Sequence, residues 1–111
     1  MIVYGIPNCD TVKKARKWLD NHNIAYRFHD FRKDGLDPSL LKKWAGKVGW
    51  EILLNRRGTT WRKLPEKTRE TINSENAIRI MLENPAIIKR PVLVKGQKII
   101  VGFNEEEYNK L

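Results

Sequence analysis

The stretch Ile2-Val3-Tyr4-Gly5-Ile6-Pro7-Asn8-Cys9-Asp10-Thr11 begins as an apolar, β-branched and aromatic run and ends where a helical pattern starts, with the only cysteine of the sequence at the change. Ile2 to Ile6 predicts a buried strand, which Pro7-Asn8 interrupts. From Thr11 to His22 the period is helical, with Val12, Ala15 and Leu19 on one face and Lys13, Lys14, Arg16 and Lys17 mostly on the others. Asp10, or alternatively Asn8, is the expected cap. A thiol at such a boundary lies beside unpaired backbone N–H groups and the positive end of the helix dipole, and both favour the thiolate. A pKa below the free value of about 8.5 is expected. The Asp10 carboxylate pulls the other way, since it disfavours a second negative charge beside it. A lone cysteine also serves as a small buried hydrophobe, and the local pattern leaves both readings open.

The rest of the composition narrows the setting. At 111 residues, one hydrophobic core and one domain spanning 1–111 are expected, with no need of a disulfide. A single cysteine and no basic-then-apolar leader argue for a reducing, cytoplasmic setting, and no apolar run approaches membrane-spanning length. Lysine plus arginine outnumber acids by 22 to 13, and the resulting charge of +9 attracts anions in general. The cations are scattered, with no block of five or six, so they read as solvated helix faces and direct nucleic-acid binding is disfavoured.

Downstream, Ile24-Ala25-Tyr26-Arg27-Phe28-His29 alternates as a second strand, giving a strand, helix, strand unit suited to a parallel crossover. Asp30 to Leu36 reads as a loop. His29 has no second histidine or cysteine at ligand spacing, so no metal site is expected. Asp37-Pro38 starts a helix with Leu40, Leu41 and Trp44 facing a core, and Gly46 and Gly49 bring it to a close. Trp50 to Leu54 is a short helical piece. The Asn55-Arg56-Arg57-Gly58 segment that follows either ends that helix, its arginines complementing the dipole, or reaches into a site. Leu64-Pro65-Glu66 opens a further short helix, and Ser74 caps a longer one carrying Ala77, Ile78, Met81 and Leu82, which Asn84-Pro85 stops. Arg90 to Val101 is a hairpin turning at Gly96, and Asn104 caps a closing helix with Glu105, Glu106 and Glu107 in its first turn and Tyr108 and Leu111 inward. The chain is therefore expected to be α/β, with a helical insertion at approximately 37–87 between the second and third strands.

This order of elements, with a cysteine after the first strand and a proline before the hairpin, is that of a thioredoxin-like fold. Four pieces make the likeness specific: Tyr4-Gly5-Ile6-Pro7-Asn8-Cys9-Asp10-Thr11 with Lys13-Lys14-Ala15, Leu54 to Leu64, Ile88-Lys89-Arg90-Pro91-Val92-Leu93, and Gly102-Phe103. Together they span nearly the whole chain, and it resembles the arsenate reductase-like (ArsC/Spx) family, most closely its small YffB-type branch. The resemblance implies a four-stranded mixed sheet, a cis Pro91 facing the cysteine, and Cys9 as a nucleophile that attacks a mixed disulfide or a small oxidised or oxyanion substrate. It also implies Arg90 as an oxyanion-binding residue that stabilises the thiolate, and a second arginine, Arg57 or alternatively Arg56, in the catalytic group. Guanidinium suits that task because its donor fork matches an oxyanion or carboxylate. Asn8 and Thr11 are candidate donors to the same substrate or glutathione site, with Arg90 and Pro91.

Two departures from the family pattern bear on function. The hairpin offers only Lys95 and Lys98 where arsenate reductases carry a third arginine, which places arsenate itself in question as the substrate. Spx regulators, which bind RNA polymerase, commonly carry a two-cysteine switch, but the second position here is Val12. With no internal partner for Cys9, an external thiol must resolve any mixed disulfide, and glutathione is the implied co-substrate, with no bound cofactor. The expected partners are glutathione and an unidentified small-molecule or protein disulfide, with RNA polymerase as the alternative.

Overall fold

The computed structural model describes residues 1–111. In chain order its elements are β1 (Ile2–Gly5), α1 (Asp10–Asn21), β2 (Arg27–Asp30), α2 (Pro38–Val48), α3 (Trp50–Leu53), α4 (Thr59–Arg62), α5 (Glu66–Glu70), α6 (Ser74–Glu83), a 3-10 turn (Pro85–Ile87), β3 (Val92–Lys95), β4 (Lys98–Val101) and α7 (Glu105–Tyr108). They fall into two compact units, one made of Met1–Gly35 and Arg90–Leu111, the other of Leu36–Lys89.

The first unit is the α/β part. Its sheet runs β2-β1-β3-β4, with β1 parallel to β2 and antiparallel to β3, and β3 antiparallel to β4. A two-sided position explains why β1 reads as a nearly continuous apolar run. Val3, Ala15, Leu19, Leu93, Ile100 and Tyr108 form the buried cluster where α1 and α7 pack on the sheet. Tyr108 anchors the closing helix there, with Trp18 and Phe103 each meeting its ring edge-on. Asn104 caps α7 as expected, its side chain accepting the Glu107 N–H.

β2 starts at Arg27, three residues later than the alternation suggests. The Ile24 N–H is still bonded to the Leu19 carbonyl at 3.0 Å, and Asn23 takes a left-handed φ of 56°, so these residues finish α1 before the ladder begins with Arg27 N–H on the Met1 carbonyl.

The second unit is helical. Asp37 caps α2 by accepting the Ser39 N–H at 2.9 Å, and the helix ends at Gly49 with φ +92°, whereas Gly46 stays inside it. α6 is capped by Asn73 rather than Ser74. The Asn73 side chain accepts the Asn76 N–H and the Asn76 side chain accepts the Asn73 N–H, a reciprocal capping box that two amides satisfy as well as a serine and a glutamate would. The buried face of α6 is Ala77, Ile80 and Met81, at i, i+3 and i+4. Ile78 and Leu82 instead line a surface cavity with Lys42 and Arg79. Leu54 and Ile88 form an antiparallel bridge, flanked by Asn55 N–H to the Ile87 carbonyl at 2.8 Å and Lys89 N–H to the Leu53 carbonyl at 2.7 Å. No helix is long and apolar enough to cross a membrane.

Candidate functional site

Cys9 is the cap residue of α1. Its backbone is extended, with φ −135° and ψ 126°, and its carbonyl accepts the first helical bond, from Lys13 N–H at 2.9 Å. Asp10, expected as the cap, is the first helical residue, because Cys9, which follows the bend at Pro7-Asn8, is the last residue with extended backbone. Asp10 still serves the helix, as a carboxylate in its first turn.

Capping side chains are normally serine, threonine, aspartate or asparagine, whose oxygen accepts the second or third helical N–H. Here sulfur occupies that place, and no side-chain capping hydrogen bond is completed. The open N–H groups of Thr11 and Val12 bias the sulfur toward ionisation instead. Burial is the largest single influence on the thiol and pushes its pKa up. Against it act the Val12 N–H, a hydrogen bond from the Arg90 side chain together with the guanidinium charge, and the Thr11 N–H, and the net result is a pKa below the ordinary thiol value. Asp10 is not among the groups that move it.

Arg90 is brought there by the return of the chain. It precedes Pro91 across a cis peptide bond, and the Pro91 carbonyl accepts the Gly102 N–H at 2.8 Å, fastening the hairpin entrance to the end of β4. The fold therefore brings Cys9, Arg90 and the first turn of α1 together within the first unit. Thr11 contributes through its backbone, and its side chain and that of Asn8 are exposed. Val12 was legible only as a core residue. Its N–H role follows once the cap is placed at Cys9, since Val12 is then the third helical residue.

Arg56 and Arg57 lie in the second unit, on the loop between α3 and α4. The Arg56 guanidinium stands over the Trp50 and Trp61 rings, 5.9 and 5.4 Å from their centroids. Arg57 is anchored by its backbone, whose N–H donates to the Asn55 side chain at 3.1 Å. Its side chain is exposed, beside a cavity of about 300 Å³ lined also by Glu51, Leu54, Asn55, Arg56 and Lys89. No group of three or more His, Cys, Asp or Glu side chains is arranged to hold a metal ion.

A mixed four-stranded sheet, a cis-proline-led hairpin and a cysteine at the start of the first helix define a thioredoxin-like protein built around one thiol. The ArsC family model matches residues 4–111, and the chain belongs to that family. A solved structure of a protein named YFFB superposes with a TM-score of 0.94 at 47% identity, covering 98% of this chain and 96% of its own. An arsenate reductase (ArsC) related protein from Brucella melitensis is 50% identical with a TM-score of 0.82, covering 98% of this chain and 91% of that one. The global transcriptional regulator Spx 2 of Lactococcus lactis is 33% identical over 107 residues, 95% of this chain and 80% of the regulator.

Proposed function

We propose that this protein is a monothiol, glutathione-dependent reductase with Cys9 as its nucleophile. The observation that carries the reading is the cap-position thiol whose ionised form is favoured by the Val12 and Thr11 N–H groups and by Arg90. Membership of the ArsC family and likeness to an arsenate reductase related protein support thiol redox chemistry as the class.

The cycle has two displacements. The Cys9 thiolate attacks the glutathionyl sulfur of a mixed disulfide; a Cys9–glutathione S–S bond forms, the original S–S bond breaks, and the substrate leaves as a thiolate that takes a proton from water. A second glutathione, as thiolate, then attacks the glutathionyl sulfur on Cys9, forming oxidised glutathione and returning the Cys9 thiolate. The substrate gains the two electrons that the glutathione pair loses. With one cysteine in the sequence, the resolving thiol comes from outside. Arg90 holds the reactive charge form of Cys9, and a cationic protein surface suits the carboxylates of glutathione. Arg57, whose guanidinium is uncommitted while Arg56 is held on two tryptophan rings, is the second cation in this reading.

The experiment is a turnover assay with glutathione as reductant, comparing a glutathionylated peptide, a small mixed disulfide and arsenate. Turnover of a disulfide that disappears in Cys9→Ser is the expected result; no turnover of any of the three overturns the proposal. The Spx relative favours a second reading, a non-catalytic adaptor that binds RNA polymerase. Retention at low salt on the immobilised C-terminal domain of the polymerase α chain would support it, and failure to bind would remove it.

A further inference from the structure

Gly5 is the last residue of β1, and it carries no positive φ, so its conformation is open to any residue. What it lacks is room. A Cβ at this position would lie 2.9 Å from Val12 Cγ2, 3.7 Å from Val12 Cγ1 and 3.9 Å from Arg90 Cβ. The first distance is closer than two carbons pack, and neither side can yield cheaply. Val12 is fully buried, and a valine in a helix is confined to essentially one χ1 rotamer, so it cannot swing away. Gly5 itself is tied into the sheet opposite Asp30, with its carbonyl accepting the Phe31 N–H at 2.9 Å. A side chain at position 5 would therefore have to be absorbed by displacing the first turn of α1 from the sheet. Val12 and Arg90, the two residues that a Cβ at position 5 would meet, are also those whose N–H and guanidinium face the Cys9 sulfur.

We propose that Gly5 is a positioning residue for Cys9: the missing Cβ lets Val12 seat against β1, which sets the first turn of α1 and its N–H groups against the sulfur beside Arg90. The inference rests on Cys9 being the reacting thiol, and it concerns the geometry that prepares that thiol rather than the identity of the substrate.

The test titrates the Cys9 thiolate by its ultraviolet absorbance in four chains: native, Gly5→Ala, Val12→Ala and the double variant Gly5→Ala/Val12→Ala. Gly5→Ala is expected to raise the pKa toward the free value, by roughly half a unit or more. The rate of Cys9 with a small aromatic disulfide near pH 6 falls accordingly. Val12→Ala keeps its N–H but gives up the methyls that seat against β1, so its pKa rises by less than that of Gly5→Ala. In the double variant the new methyl occupies the space that the valine gives up, and the native pKa returns. Ile100→Ala, a buried change on β4, is the control for destabilisation alone and lowers the melting temperature without moving the pKa. An unshifted pKa in Gly5→Ala overturns the inference, as does a double variant that titrates like an ordinary thiol; the latter criterion stands even if Gly5→Ala alone fails to fold. None of these readings depends on turnover, so absence of reductase activity would refute the proposed function and leave this inference to be decided by the titrations.

Discussion

The Arg90 side chain donates a hydrogen bond to the sulfur of Cys9, joining the residue before the cis proline to the cap of α1. Burial alone would keep Cys9 a neutral thiol, so the cation and the helix-start N–H groups decide its charge.

Removing that cation should leave the thiol less ionised. Arg90→Ala is expected to raise the Cys9 pKa and to slow its reaction with a disulfide near pH 6 by about tenfold, with the fold intact. Arg90→Lys should fall between, keeping the charge and losing the fork. Thiolate absorbance against pH reads both. Because the folded pKa lies below the unfolded one, ionisation of Cys9 contributes stability above the unfolded pKa, and that contribution is lost as pH falls through the folded value.

Cys9→Ser separates chemistry from capping. Serine oxygen is a preferred helix cap and sulfur makes no capping bond here, so the variant should lose all turnover yet gain about 0.5 to 1 kcal/mol of stability in acidic buffer. Thermal unfolding of the two chains measures the gain.

The two loop arginines should part company. Arg56→Ala removes a guanidinium from two tryptophan rings and is expected to cost about 0.5 to 1 kcal/mol of stability. Arg57→Ala should leave the melting temperature within a degree or so of native and raise the KM for glutathione several-fold. Thermal shift and glutathione kinetics on both variants check the division.

Tyr108 sets an alkaline limit. Its hydroxyl is buried without a hydrogen-bond partner, and burial, with Glu107 nearby, pushes its pKa well above the ordinary tyrosine value. A folded pKa above the unfolded one means stability is full below about pH 10 and declines as pH rises beyond it. Tyr108→Phe removes that dependence and spares the desolvation of an unpaired hydroxyl, so it should unfold later than native above pH 10 and be neutral or slightly more stable at pH 7. Denaturant midpoints at the two pH values test it.

Much of the architecture was legible from local signals. The apolar run of β1, the Val12, Ala15 and Leu19 stripe, the Asp37-Pro38 start and the Asn104 cap each depend on residues within one or two turns. Less legible were features where two local candidates compete for one role. Asn73 displaced Ser74 because Asn76 returns its hydrogen bond, and Ile80 displaced Ile78 and Leu82 in the core because the packed stripe of α6 is set by the neighbouring elements of the second unit. The short α4 gives no periodic signal at four residues.

For the site, the sequence by itself determined that the only cysteine stands where a strand gives way to a helix, and that the chain carries a proline-led hairpin and a pair of loop arginines. Only the tertiary structure decided which residue caps the helix, that Arg90 meets the sulfur, and that the thiol is acidified despite its burial. The reason is that periodicity and capping are short-range properties carried by neighbours in sequence. The charge on Cys9 is a balance of desolvation, dipoles and a distant guanidinium, and their distances from the sulfur exist only once the sheet has brought the two ends of the chain together.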